Sequence, residues 1–178
     1  MTFRLETDRL ILSSWDADDG PLLVRLYGDP LANRDFGRTL SKAEALTSFE
    51  RYRQAYREDD FTRWKVTDKT GTFLGAVGCI RVKDHQCLGT HVEIGWRLLP
   101  EAWGKGYATE AALAAQYDIQ KRCRISDIIT YTAPDNLTSQ AVMNRLNYLR
   151  APERDFTAHY DSIGEWHGLV WTVPNIAV

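Results

Sequence analysis

The chain has 178 residues, 44% hydrophobic and 26% charged, with a formal net charge of −2. That is about one domain, long enough to bury a core without disulfide or metal staples. The charge balance excludes recognition of nucleic acid or a membrane surface by bulk electrostatics. Three scattered cysteines, Cys79, Cys87 and Cys123, read as reduced thiols rather than a disulfide framework. No stretch approaches about 18 consecutive apolar residues, and the N-terminus has no long apolar segment. The expectation is a single cytoplasmic domain over 1–178 that does not enter a membrane.

In chain order, "RLETDRLIL" (Arg4 to Leu12) is β-prone and predicts a first strand. Asp18 and Asp19 are candidate N-caps for a short helix with Pro21 just inside its start, where a missing N–H costs nothing. "SKAEALTSFERYRQAYRE" opens with a capping box, Ser41 and Glu44. Ala45, Phe49, Tyr52 and Tyr56 then fall at helical spacing. Its arginines read as a solvent face in preference to an RNA-binding stripe.

The period then changes. "FTRWKVTD", a turn at "KTG", and "FLGAVGCIRV" predict an antiparallel hairpin. A fourth strand, "THVEIGWRLL", sets Val92, Ile94, Trp96 and Leu98 on one face and His91, Glu93 and Arg97 on the other. An alanine-rich helix follows Gly106, then a fifth strand at "DIITYT" and a helix capped near Asp135 or Asn136. A last strand lies around "GLVWTV". This order implies a mixed α/β (α+β) fold with helices on the faces of one sheet.

Gly104 and Gly106 flank Lys105 where the alanine-rich helix begins. A helix start offers unpaired N–H groups and the positive end of the dipole, and glycine lets a ligand approach the backbone. "WGKGYAT" can therefore wrap a pyrophosphate, or be a glycine-containing loop before a core helix. A P-loop does not fit, because Gly106 rather than Ser or Thr follows Lys105. A dinucleotide fingerprint does not fit either, because Thr109 stands where its third small residue belongs.

The block Glu93-Ile94-Gly95-Trp96, Pro100, and Trp103-Gly104-Lys105-Gly106-Tyr107-Ala108-Thr109-Glu110-Ala111 resembles the acetyl-CoA motif of the GNAT superfamily of N-acetyltransferases. Asn136-Leu137-Thr138-Ser139 resembles its second signature. The opening "LETDRLIL" is similar to the ribosomal-protein N-terminal acetyltransferase (RimJ/RimL-like) branch. The resemblance covers nearly the whole chain. It implies a mostly antiparallel central sheet splayed at strands 4 and 5, with acetyl-CoA in the cleft. Its pyrophosphate would lie on Gly104, Lys105, Gly106, Tyr107, Ala108 and Thr109. Its pantetheine arm would pair with backbone from Ile94, Gly95, Trp96 and Leu98 onward, as an added strand does. Trp103, Asn136, Ser139 and Met143 complete the expected cofactor contacts. The sequence departs from the pattern in three places. Glu101 stands where Gln or Arg is usual, Met143 where many members carry a tyrosine, and Asn147-Tyr148 where Gly-Phe is usual.

Acetyl transfer to an amine needs a neutral amine, a stabilised oxyanion and a departing thiolate. A lysine amine has a reference pKa of about 10.4 and an α-amine about 8, so both benefit from a base near neutrality. Glu93 is the candidate base, directly or through water; the alternative is a solvated glutamate or a partner for Arg97. His91 shares its face and could join a water chain. The oxyanion donor would be a backbone N–H near Ile94 or Gly95. With Met143 at the tyrosine position, Ser139 becomes the expected partner of the CoA sulfur; a first-turn serine bonding its own backbone is the other reading. No metal site is expected, because the four histidines lack ligand spacing. The resemblance favours a protein N-terminal α-amine, with a small amine or a non-catalytic CoA-binding module as alternatives. Asp18, Asp19, Glu58, Asp59 and Asp60 could attract a cationic acceptor. Trp166 and Trp171 suit either a core strand or a homodimer interface.

Overall fold

The computed structural model describes residues 2–176. Its sheet runs β1 (Arg4–Glu6), β2 (Leu10–Ser13), β3 (Arg63–Asp68), β4 (Phe73–His85), β5 (Gly89–Leu98), β6 (Ile128–Thr132), β9 (Gly164–Thr172) and β7 (Leu149–Arg150). β8 (Phe156–Tyr160) pairs with β9 off this path. Four helices cover the faces: α1 (Gly20–Gly28), α2 (Lys42–Asp59), α3 (Tyr107–Arg122) and α4 (Leu137–Arg145).

Every neighbouring pair is antiparallel except β5 with β6. These two strands share a parallel register for two residues only, Val92 beside Ile128 and Glu93 beside Ile129, and then part. The expected splay between the fourth and fifth strands is this opening. The extra strands arise because the predicted first strand is two, broken at Thr7–Arg9, where the Thr7 N–H donates to the Leu10 carbonyl. The segment from Phe156 to Trp171 forms an antiparallel hairpin, β8 with β9, that alternation did not reveal.

The core has a layer on each face of the sheet. Val92, Ile94 and Leu98 pack with Ala111, Ala112, Ala115 and Ile119 of α3 and with Met143 of α4. The alanines let α3 lie close to β4 and β5. On the other face, Leu23, Leu26 and Tyr27 of α1 and Phe49 and Tyr52 of α2 pack on Phe73, Ala76 and Ile80. The Ser41–Glu44 capping box starts α2 as its sequence requires. The expected cap of α1 differs. Asp19 makes no side-chain cap there; it closes a 3₁₀ turn from Asp16 and pairs with Lys65.

Ile94 is fully buried beneath α3. Ile94→Ala should lower unfolding stability by about 2–5 kcal/mol through lost transfer energy and a residual cavity. Leu137→Ala, at a side chain 71% exposed, should change it by less than about 0.5 kcal/mol. Urea denaturation of both variants checks the layer assignment.

Candidate active site

The parting of β5 from β6 leaves two adjoining cavities. One, of about 520 Å³, lies between the end of β5, the glycine loop and α4. The other, of about 690 Å³, lies under α2, the segment after α1 and the β8–β9 hairpin. Asp35, Trp96, Arg97 and Ser139 line both, so the cavities meet there.

In the first cavity, Gly104 and Gly106 both adopt left-handed backbone, with φ of 73° and 78°. A residue with a Cβ is strained at such angles whatever the space around it. Among the described residues, no acceptor takes the N–H groups of Gly104 to Thr109; the first helical bond is from Glu110 to Gly106. Six consecutive donors without a partner thus stand at the positive end of a 16-residue helix, an arrangement whose chemistry suits an anion. Lys105 adds less than its charge suggested. It is exposed and does not line the cavity, and its carbonyl accepts from Arg9 Nη1 at 2.8 Å.

Arg9 braces this loop. Its Nη2 lies 2.6 Å from Glu110 Oε2, and its guanidinium sits 4.8 Å from the Tyr107 ring centroid. The Thr7 hydroxyl donates to Glu110 Oε1 at 2.6 Å. Thus "LETDRLIL" and the glycine block, far apart in sequence, join at Glu110. Glu101 is engaged by Arg25 of α1, which accounts for an acidic residue beside the loop.

The backbone of β5 supplies the shared wall. The Leu99 N–H donates to the Leu74 carbonyl, so the antiparallel ladder turns the backbone groups of Gly95 and Arg97 toward β4. Those of Ile94, Trp96 and Leu98 point to the opening. The short parallel register consumes the Ile94 N–H against β6. The Leu98 carbonyl accepts from Trp103 Nε1 at 2.9 Å. The N–H groups of Ile94 and Gly95, near which the oxyanion donor was expected, are thus engaged by neighbouring strands, and the Trp96 N–H is the first on β5 left free at the opening.

Glu93 faces the second cavity, where it accepts from Arg63 Nη2 at 2.6 Å and from the Tyr131 hydroxyl at 3.3 Å. Only 17% of the Arg63 side chain and 14% of the Glu93 side chain are exposed. Burial, the largest single influence, disfavours the Arg63 cation, but the Glu93 carboxylate together with Tyr52, Tyr27 and Tyr131 outweighs it and holds the guanidinium well above its usual pKa. Burial, and then the Glu93 charge, pushes Tyr131 up, so its hydroxyl remains a donor. Arg97 is not the partner of Glu93. It forms a fork with Asp35, at 2.8 and 3.1 Å, and donates to the Ala32 carbonyl.

The structure brings Trp96, Leu98, Trp103, Gly104, Gly106, Tyr107, Ala108, Thr109, Asn136 and Ser139 to the first cavity. Gly95 lines the second. Ile94 and Met143 are fully buried in the core, so neither side chain reaches a cavity. Asn136 Oδ1 caps α4 by accepting from the Ser139 N–H at 3.2 Å. The Ser139 hydroxyl has no partner among the described residues and stands where the cavities meet. The acidic residues named for attracting a cation are largely engaged: Asp19 with Lys65, Glu58 with Lys83, Asp59 with Arg81 and Asp60 with Arg122. His91 Nδ1 lies 3.0 Å from the Gly89 carbonyl and so donates to it. Trp171 is a core residue, and Trp166 lines the second cavity. Sequence reasoning missed Arg63, Tyr131 and Arg9, whose roles arise only when separate strands align. No helix of the described residues is long and apolar enough to cross a membrane, and none of their His, Cys, Asp and Glu side chains cluster as a metal site.

The description "Acetyltransferase (GNAT) domain" matches residues 9–148. An uncharacterised N-acetyltransferase of Bacillus subtilis, YoaA, is 28% identical over 111 residues, 60% of this chain and 60% of that protein. The match thus spans less than two thirds of that curated relative. An acetyltransferase of Agrobacterium tumefaciens str. C58 superposes with a TM-score of 0.80 at 21% identity, covering 97% of this chain and 95% of the other. RimL, a ribosomal alpha-N-protein acetyltransferase solved in complex with coenzyme A, superposes with a TM-score of 0.71 at 14% identity, covering 96% and 98%. At those identities the structures speak for the fold, and the domain match speaks for the family. The chain belongs to the GNAT acetyltransferase domain family.

Proposed function

We propose that the protein transfers an acetyl group from acetyl-CoA to a primary amine, most readily the N-terminal α-amine of a protein or peptide. The observation that carries the reading is the run of unpaired N–H groups from Gly104 to Thr109, opening on a cleft that meets a second cavity at Trp96 and Ser139. Gly104, Gly106, Tyr107, Ala108 and Thr109 would hold the pyrophosphate. Trp96, Leu98 and Asn136 would line the pantetheine arm, and the amine would enter through the second cavity. Acetyl-CoA supplies an acetyl group activated as a thioester.

The chain's own groups divide the remaining work. Glu93 Oε2, or a water held there, accepts the proton of the incoming amine. The Trp96 N–H donates to the acyl oxygen as negative charge develops on it. The Ser139 hydroxyl hydrogen-bonds the departing sulfur. A thiol of pKa about 8.5 needs little further help, which suits the burial of Met143 at the expected acid position. The ion pairing of Glu58, Asp59 and Asp60 leaves little free negative charge to select a polycation. That favours the α-amine reading over polyamines, as does the fold shared with the ribosomal-protein enzyme.

Glu93→Gln should depress turnover most at low pH, where the amine is protonated and the base is needed. At high pH a free amine needs less help, and acetyl-CoA affinity should remain nearly intact. Equal loss of affinity and turnover would make Glu93 structural. CoA thiol release across an acceptor panel tests the acceptor class. We expect turnover with free N-terminal peptides and little with blocked lysine peptides, polyamines or aminoglycosides. Turnover confined to a small amine would overturn the α-amine reading; acetyl-CoA binding with silence across the panel would favour the non-catalytic module.

A further inference from the structure

Arg63 on β3, Gly78 on β4 and Gly95 on β5 stand side by side in the sheet register. Neither glycine presents a side chain, so the Arg63 side chain crosses β4 and its guanidinium rests on the Cα of Gly95. A Cβ built on Gly95 would lie 2.7 Å from Arg63 Nη2 and 2.9 Å from Cζ. The guanidinium thereby reaches the Glu93 carboxylate two residues away on the same strand, at 2.6 Å. Gly95 is explained by this seat for an arginine more directly than by approach of the cofactor.

We propose that Arg63 is a positioning residue for Glu93: lodged on Gly95, it holds the carboxylate toward the acceptor cavity and supplies the positive charge that partners it there. This inference rests on the reading of Glu93 as the proton acceptor. Other titratable groups face the pair. Tyr131 of β6 bonds Glu93. Tyr27 of α1 and Tyr52 of α2, bonded to each other through their hydroxyls, lie within reach of the Arg63 charge. Cys79 and His85 of β4 and Tyr160 of β8 lie within reach of the Glu93 charge. His91 and Arg97 lie on the same face of β5, Arg97 committed to Asp35. Arg63 is the cation in direct contact with the carboxylate.

The test compares kcat/KM against pH for the whole protein and for Arg63→Met, Gly95→Ala, Glu93→Gln and the Arg63→Met/Glu93→Gln double variant, with acetyl-CoA affinity measured on each. A buried carboxylate without its cation takes up a proton more readily, so the acidic limb should move upward by about one pH unit or more in Arg63→Met. Gly95→Ala, which keeps both charges but unseats the guanidinium, should move it the same way. Arg63→Met should cost roughly tenfold in kcat/KM with Glu93 present and less than about twofold when combined with Glu93→Gln, because the two residues act as one unit. An unmoved limb in both variants, or equal loss in the two backgrounds, would overturn the inference. Full activity of Glu93→Gln across the range would instead overturn the base reading. Should Arg63→Met fail to fold, Gly95→Ala decides the question alone.

Discussion

The arrangement depends on where β5 lets go of β6. Two residues of parallel pairing hold the strands together at Val92 and Glu93, and beyond them each goes its own way. A strand edge released inside a protein exposes N–H and C=O groups that would otherwise be costly to leave unmade. Here those groups line a cleft wide enough for a ligand. The strand is not free to drift back, because its other edge is bonded to β4 along its length. Its apolar side chains Val92, Ile94 and Leu98 are locked under α3. The opening is thus set by a firm edge on one side and a packed face beneath.

The glycine loop and the buried ion pair follow from that frame. α3 docks through alanines, which brings its N-terminus to the mouth of the cleft. There two left-handed glycines turn the chain into the helix, and the six amides from Gly104 to Thr109 have no partner among the described residues. Arg9 and Glu110 fix the turn from the side of the first strands. Across the sheet, Arg63 and Glu93 occupy the face under α1 and α2. Breaking such a pair by removing one partner leaves an uncompensated buried charge, at a cost of about 3–5 kcal/mol. A sheet interior that carries this expense beside a cavity points to a use for the charge there.

Much of this was legible in the sequence, and for identifiable reasons. The alternation in "THVEIGWRLL" reports which side chains enter the core, because strand periodicity is local. The Ser41–Glu44 box and the Gly104–Gly106 pair are local signals too, each tied to a backbone requirement within a few residues. The break at Thr7–Arg9 was not legible, since both halves are β-prone and the turn is held by the Thr7 hydroxyl and the Arg9 backbone N–H donating to Glu110, far along the chain. The partner of Glu93 was missed because it comes from β3, two strands away, and depends on a register that places two glycines in line. Met143 was expected at the cofactor from its place in a motif, but the rotation of α4 turns it into the core.

The central claim is that acetyl-CoA lies along the free edge of β5 with its phosphates on the start of α3. Amide chemical shifts followed during an acetyl-CoA titration test it most directly. The account predicts the largest changes at Trp96 and from Gly104 to Thr109, with the amides of β1, β2 and the outer face of α2 unmoved. Saturable binding whose changes fall elsewhere, with the Gly104–Thr109 amides unaffected, would contradict it.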